Sequence, residues 1–350
     1  MILNSMLGSG FGGLEKLFLD EVEMLPMAGM PARCAVRRGS PLARYARERN
    51  LPCDEILALS DWDPISVAGA RTLVRRAAPK LVMCVGRKAH RLFGRAVGTS
   101  LPIVTMVQKR RFDRDFPHAG VLVAATHRRG TLIEDGVAPE NIIVIPNSVR
   151  LPPPKADYAI APGRPVTIVG LGRLHEKKGF GVLIKALRIL AARAVAFDCS
   201  IAGEGPERAS LQRAVDKAGL ADRIKLPGWT DDVATYLSAA DIFALPSFQE
   251  DFPLAVLDAM ASGVPIVASR IDGPKDFLVD GETALIVPPN DAPALAEALS
   301  RLIADQGLRE RLGRNARREA EQKYSFEAIG RRLVQALDNV LAGKPISFGA

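Results

Sequence analysis

Two acids eight positions apart, Glu250 and Asp258, stand in the segment PSFQEDFPLAVLDAMASGVPIVAS, residues 246–269. Glu250 ends a loop after a strand-like run, and Asp258 falls on the helix expected over residues 253–262. The backbone N–H groups of Asp251, Phe252 and Leu254 stand at or near that helix's N-terminus. Unpaired amides and the positive end of the helix dipole suit a phosphate or a row of sugar oxygens there. Pro253 brings no N–H and is at home in a first helical turn. One carboxylate at the turn and one along the helix can each bond a pair of hydroxyls; the plainer alternatives are a helix cap or a surface acid.

Two glycine-rich turns suggest anion binding. In VGLGRLHEKKGF, residues 169–180, Arg173 and Lys178 flank a turn between a strand and a helix. An arginine can hold a diphosphate bidentately, and a lysine can neutralise it as a point charge. The other turn, GSGFGG at residues 8–13, also joins a strand to a helix and contains G-x-G-x-x-G as Gly8, Gly10 and Gly13. Such glycines let backbone approach a phosphate at a helix N-terminus. Arg37 and Arg38 lie where a dinucleotide fold would meet the 2′-phosphate of NADP, so an NADP-dependent oxidoreductase is one alternative.

These residues need a scaffold of short strands and helices. Apolar runs at 2–6, 80–85, 102–107, 120–125 and 141–146 read as strands, with a helix over 14–25. Such runs separated by helices indicate a parallel sheet buried on both faces. The proline-rich stretch LPPPKADYAIAPGRP, residues 151–165, reads as a linker. Beyond it the alternation restarts, with strands at 166–170, 197–202, 224–227, 241–246, 265–269 and 284–287 and helices between them. Further helices are expected near 293–304, 307–323 and 326–342. The expectation is α/β: two Rossmann-like, doubly wound domains over residues 1–155 and 156–325, with a final helix over 326–345 lying back on the first. Ligands in such folds favour the carboxyl ends of the strands, in the cleft expected between the domains.

At 350 residues and 48% hydrophobic, the composition is that of a globular protein. No apolar run approaches the ~18 residues a membrane helix needs, and the first residues lack a signal-type core, so a cytoplasmic location is expected. Cys34, Cys53, Cys84 and Cys199 are widely spaced and read as free thiols. The net charge of +8 is concentrated early: residues 71–129 hold fourteen Lys or Arg and two acids. Clustered cations of this kind suit an anionic membrane surface or a phosphorylated acceptor, if they are not simply a solvated face. With 5% aromatics and none interleaved with the basic residues, nucleic acid ranks last as a partner. Asp61-Trp62-Asp63 has the form of a metal-binding D-x-D and is read as incidental; no metal or other cofactor is expected. His90 and His175 read as surface residues.

The segments GRLHEKKG, AGEGPERASL, LPGWTDDV, AADIFALPS and EDFPLAVLDAMASGVPIVAS, in that order, resemble the donor domain of the retaining glycosyltransferase family 4, which has the GT-B architecture. The likeness is thinner in the first half, over GGLEKLFLDE and VLVAATHRRGTLIEDGVAPENIIVIPNSV. It implies that Gly12 and Gly13 face a nucleotide-sugar diphosphate from the first domain, and Arg173 and Lys178 from the second. Trp229 would lie near the base, and Glu250 with the backbone of residues 251–254 (Asp251, Phe252, Pro253, Leu254) would hold the sugar. Asp258 takes the place of the family's ribose-binding glutamate, shorter by one C–C bond, ~1.5 Å of reach. Asp251 replaces the family's usual glycine, which bears on which sugar fits. Gln108 stands where the family often has a histidine near the reaction centre, with His118 and His127 close in sequence. The implied activity is metal-independent, retaining transfer from a nucleoside-diphosphate sugar to a cell-envelope glycan or lipid-linked acceptor. Lys109, Arg110, Arg111 and Arg114 would mark the acceptor or membrane face. The substitution at Gln108 leaves a catalytically silent sugar-nucleotide binder as the other alternative.

Overall fold

The computed structural model describes residues 1–10, 12–107, 120–123, 127–155 and 157–344. Gln108, Lys109, Arg110, Arg111, Arg114 and His118 lie outside the described residues. The chain divides into two compact units, residues 1–148 with 326–350, and residues 149–325.

The first unit starts β1 (Ile2–Met6), α1 (Gly13–Met27), β2 (Ala32–Arg37), α2 (Pro41–Glu48), β3 (Cys53–Ile56) and α3 (Pro64–Ala77). It continues β4 (Leu81–Val85), α4 (Arg87–Val97), β5 (Ile103–Met106), β6 (Gly120–Val123), α5 (His127–Glu134) and β7 (Ile142–Val144). The seven strands form one parallel sheet in the order β3-β2-β1-β4-β5-β6-β7. β1, β4, β5 and β6 are buried along their whole length, because both faces are covered by helices. The last helix of the chain, Phe326–Leu341, packs on α1. It approaches closely at Gly330, where a Cβ would meet Met24 Cγ at 3.0 Å.

β2 and β3 carry no apolar signal as strong as their neighbours. ARCAVR and CDEI hold charged residues, and Asp54 of β3 accepts from Arg33 of β2 and from Arg76 of α3. His90 is buried, not on the surface. It lies on the inner side of α4, and its Nδ1 hydrogen-bonds Thr105 of β5. Cys34, Cys84 and Cys199 are buried free thiols, and Cys53 is half-buried.

The second unit contains β8 (Val166–Leu171), α6 (Phe180–Ala192), β9 (Phe197–Ala202), α7 (Arg208–Lys217), β10 (Ile224–Gly228) and α8 (Val233–Ser238). Then follow β11 (Ile242–Leu245), α9 (Leu254–Ser262), β12 (Ile266–Ser269), β13 (Leu285–Val287), α10 (Ala292–Ala304) and α11 (Gln306–Glu319). Its parallel sheet runs β10-β9-β8-β11-β12-β13, with the order reversing between β8 and β11. One core, built from Ile168, Phe197, Ile201, Ile242 and the inward faces of α6, α7 and α10, underlies the sheet. Each unit is thus a doubly wound, Rossmann-like domain.

Candidate functional site

The strand order reverses between β8 and β11, and a doubly wound sheet binds its ligand at the carboxyl end of such a reversal. Here the loops leaving the two strands are the two motifs singled out by chemistry, residues 172–179 after β8 and residues 246–253 after β11. Glycines clamp the first of them on both sides. A Cβ on Gly203 (φ +139°) would stand 1.9 Å from the Gly172 carbonyl oxygen, and one on Gly205 (φ +159°) 2.2 Å from the Leu174 oxygen. Across that contact Gly172 N–H donates to Ala202 (3.0 Å) and Leu174 N–H to Glu204 (2.9 Å). On the other side a Cβ on Gly179 (φ +63°) would meet the Pro246 oxygen at 2.0 Å, and Phe248 N–H donates to Lys177 at 2.7 Å. Only glycine tolerates both the backbone angle and the approach.

The clamp brings Lys178 onto Glu250. Lys178 Nζ donates to Glu250 Oε1 at 2.6 Å, and Ser247 Oγ donates to the same oxygen at 2.7 Å. The Glu250 side chain is 9% exposed and the Lys178 side chain 24%. Among the described residues none bonds Glu250 Oε2, so a ligand hydroxyl can use it. Ser247, itself fully buried, was not foreseen from the sequence. Its only signal was the spacing S-x-x-E, which elsewhere marks a helix cap.

The turn after Glu250 is fixed from below. A Cβ on Gly273 (φ +88°) would lie 2.4 Å from the Asp251 oxygen and 2.8 Å from that of Glu250. Phe252 is buried, with its ring centroid 4.6 Å from Phe277 and 6.1 Å from Tyr324. Pro253 caps α9 in extended backbone, and among the described residues no side-chain cap bond closes the start of the helix, while the Val256 amide donates to the Pro253 carbonyl at 3.1 Å. Asp258 lies one turn further along α9 and is half-buried.

Arg173 is exposed and, among the described residues, forms no ion pair. His175 caps the short turn Glu176–Lys178, its Nδ1 accepting from Lys177 N–H. Trp229 follows β10, two strands from β8 and therefore ~10 Å across the sheet. Its ring is 57% exposed and steered by an Nε1–H bond to Asp231 at 2.8 Å. The Trp229 loop is tied inward, since Gly203 N–H donates to the Gly228 carbonyl at 2.7 Å. Five loops, from β10, β9, β8, β11 and β12, therefore hold one another at one edge of the sheet. They assemble Arg173, Lys178, Glu250, the α9 N-terminus and Trp229.

In the first unit Gly12 caps α1 in extended backbone, and Gly13 begins the helix. The carboxylate of Glu15 lies over this turn, 3.6 Å from where a Cβ on Gly8 or Gly12 would stand. An anion using those amides must displace Glu15. Asp61 and Asp63 are taken up locally: Asp61 pairs with Arg91 at 3.4 Å, and Asp63 accepts from the amides of Ser60 (3.0 Å) and Ser66 (2.8 Å). The Ser66 hydroxyl first, and then the Ser66 and Ser60 amides, hold the Asp63 carboxyl down at about 2.

The model of the family Glycosyl transferases group 1 matches residues 157–319, the span that builds the five-loop site. Residues 157–319 are a group 1 glycosyl transferase domain. Among curated proteins, the lipopolysaccharide core biosynthesis glycosyltransferase LpsE of Rhizobium meliloti is 28% identical over 349 residues, covering 95% of this chain and 97% of its own. The putative colanic acid biosynthesis glycosyltransferase WcaL of Salmonella typhimurium is 34% identical over 220 residues, 60% of this chain and 54% of its own. Among solved structures, Anabaena HepE in complex with UDP and glucose superposes with a TM-score of 0.80 at 18% identity, over 96% of this chain and 99% of that one. That likeness establishes the two-domain GT-B fold.

Proposed function

We propose that this glycosyltransferase moves a sugar from a nucleoside-diphosphate sugar to a hydroxyl of a cell-envelope glycan or lipid-linked acceptor, with retention of anomeric configuration. One observation carries the reading of the donor: the Lys178–Glu250 pair stands beside Arg173 and the open N-terminus of α9 at the sheet's reversal point. Arg173 supplies the bidentate, uncompensated positive charge for the diphosphate. Lys178 spans the two halves of the ligand, with its charge shared between phosphate and Glu250. Glu250 offers Oε2 to the sugar hydroxyls, Asp258 is the candidate for the ribose, and the exposed Trp229 ring for the base. The α9 amides and the two cations stabilise the charge that develops on the departing diphosphate, so the reading needs no metal. Gly12, Gly13 and Gln108 keep their proposed donor-side roles.

Names of the relatives support the acceptor class, since LpsE and WcaL are named for lipopolysaccharide core and colanic acid biosynthesis. Lys109, Arg110, Arg111 and Arg114 remain the proposed cations of the acceptor or membrane face. The test is release of nucleoside diphosphate from a panel of UDP-, GDP- and ADP-sugars, with EDTA present, followed by NMR of the product anomer. Release from one donor, undiminished by EDTA and with retained anomer, is expected. No release from any donor would overturn the activity, and an inverted product would overturn the stereochemistry.

A further inference from the structure

Deepening the proposed use of a lipid-linked acceptor, we infer that the projection between β3 and α3 inserts Leu59, Trp62 and Ile65 into the interface of an anionic phospholipid membrane. These three residues are 60%, 69% and 64% exposed, within seven positions of one another. A single exposed apolar side chain is ordinary, whereas three on one short projection form a patch. The projection is rigid. Ser60 and Asp63 close it on themselves, and Leu59 N–H donates to Ser66 Oγ at 3.1 Å, drawing Leu59 back beside the start of α3. A rigid projection spends little conformational entropy on being held in an interface.

Cations surround its base. Lys88 Nζ donates to the Ala58 carbonyl at 2.9 Å, Arg95 Nη1 to the Asp61 carbonyl at 2.8 Å, and Arg91 pairs with the Asp61 side chain. Arg71 joins them through the Arg95 carbonyl at 3.1 Å. Residues 57–98 hold eight Lys or Arg and only two acids, Asp61 and Asp63, both already engaged. An indole and two branched aliphatics ringed by lysine and arginine match an interface of acyl chains beneath anionic headgroups. A soluble protein partner would need matching acids around an apolar pocket, and a second copy would bring like charge to the same face. The D-x-D motif thus has a use without metal: its two acids fix the turn that presents Trp62.

The chain has two tryptophans, so Trp229→Phe leaves Trp62 as the sole reporter. Added vesicles of phosphatidylcholine with phosphatidylglycerol should shift Trp62 emission to the blue, and brominated acyl chains should quench it. Vesicles of phosphatidylcholine alone should do neither, and raised salt should reverse the effect. Trp62→Ser should weaken co-sedimentation at least ~tenfold, as expected for one large apolar side chain, and Trp62→Phe should largely restore it. With Trp229 kept, Trp62→Ser and Trp62→Phe should bind nucleoside diphosphate within about twofold of the parent. Unmoved Trp62 emission, or undiminished vesicle binding by the Leu59→Ser/Trp62→Ser/Ile65→Ser variant, would overturn the inference. So would shielding of Trp62 in a lipid-free dimer or protein complex. Loss of nucleoside diphosphate binding in an otherwise intact parent protein would instead strike the donor-site reading and leave this one standing.

Discussion

Removing either member of the Lys178–Glu250 pair should carry a cost that removing both partly recovers. At 2.6 Å the gross Coulomb attraction lies between about 1.6 kcal/mol in bulk water and about 6 kcal/mol at an effective dielectric of 20. Removing one member of a fully buried pair costs roughly 3–5 kcal/mol, because the other charge is left without a partner. Lys178 is a quarter exposed, so water can reach the site and the cost should fall to about 1–3 kcal/mol. Lys178→Met leaves the Glu250 carboxylate, among the described residues, with the Ser247 hydroxyl alone, and Glu250→Gln leaves the ammonium facing an amide. The double variant leaves neither charge behind, so it should recover about 1–2 kcal/mol relative to the sum of the singles. Urea unfolding followed by Trp229 emission in a Trp62→Phe background reports on the unit that holds the pair. Additivity within ~0.5 kcal/mol would refute the coupling and with it the picture of Glu250 held in place by Lys178.

Gly203→Ala should disengage the 172–175 loop, because the new Cβ meets a carbonyl oxygen at 1.9 Å. A loss of nucleoside diphosphate affinity of at least ~tenfold is expected by calorimetry, with unfolding only moderately easier. Burial pushes the Glu21 carboxyl up to about 8, against an unfolded value of 4.5. The native state therefore binds the extra proton between those values, so this group's stability is complete below pH 4.5 and lost as pH rises through 8. The slope is at most ~1.4 kcal/mol per pH unit, and Glu21→Gln, which keeps a bond to Asn4, should flatten it in thermal unfolding scans across pH.

The second unit was largely legible because its strands are apolar runs bounded by breakers, as in IFAL and IVAS, and its motifs sit in the loops between them. The first unit was less so. β2 and β3 carry buried or half-buried charges whose partners lie on other elements, and no local pattern shows that Arg33 and Arg76 meet at Asp54. His90 sits in a helix dense with arginines and looks solvated by composition, yet it points inward to Thr105. At the site, the residue types were readable but their pairing was not. Lys178 and Glu250 are 72 positions apart, and their contact depends on glycines whose role is to permit backbone contact, which leaves no side-chain signature.

The central claim is that the diphosphate of a nucleotide sugar lies on Arg173 at the β8/β11 reversal. It is tested most directly by calorimetry of the parent and Arg173→Ala with a nucleoside diphosphate and with the free nucleoside. Arg173 has no ion-pair partner among the described residues, so its whole charge is available, and a charge-assisted bond to phosphate is worth ~1.5–3 kcal/mol, roughly 10- to 150-fold. The account predicts that loss for the diphosphate, at most a twofold change for the nucleoside, and a smaller loss for Lys178→Met. Equal loss for both ligands, or none for the diphosphate, would contradict it.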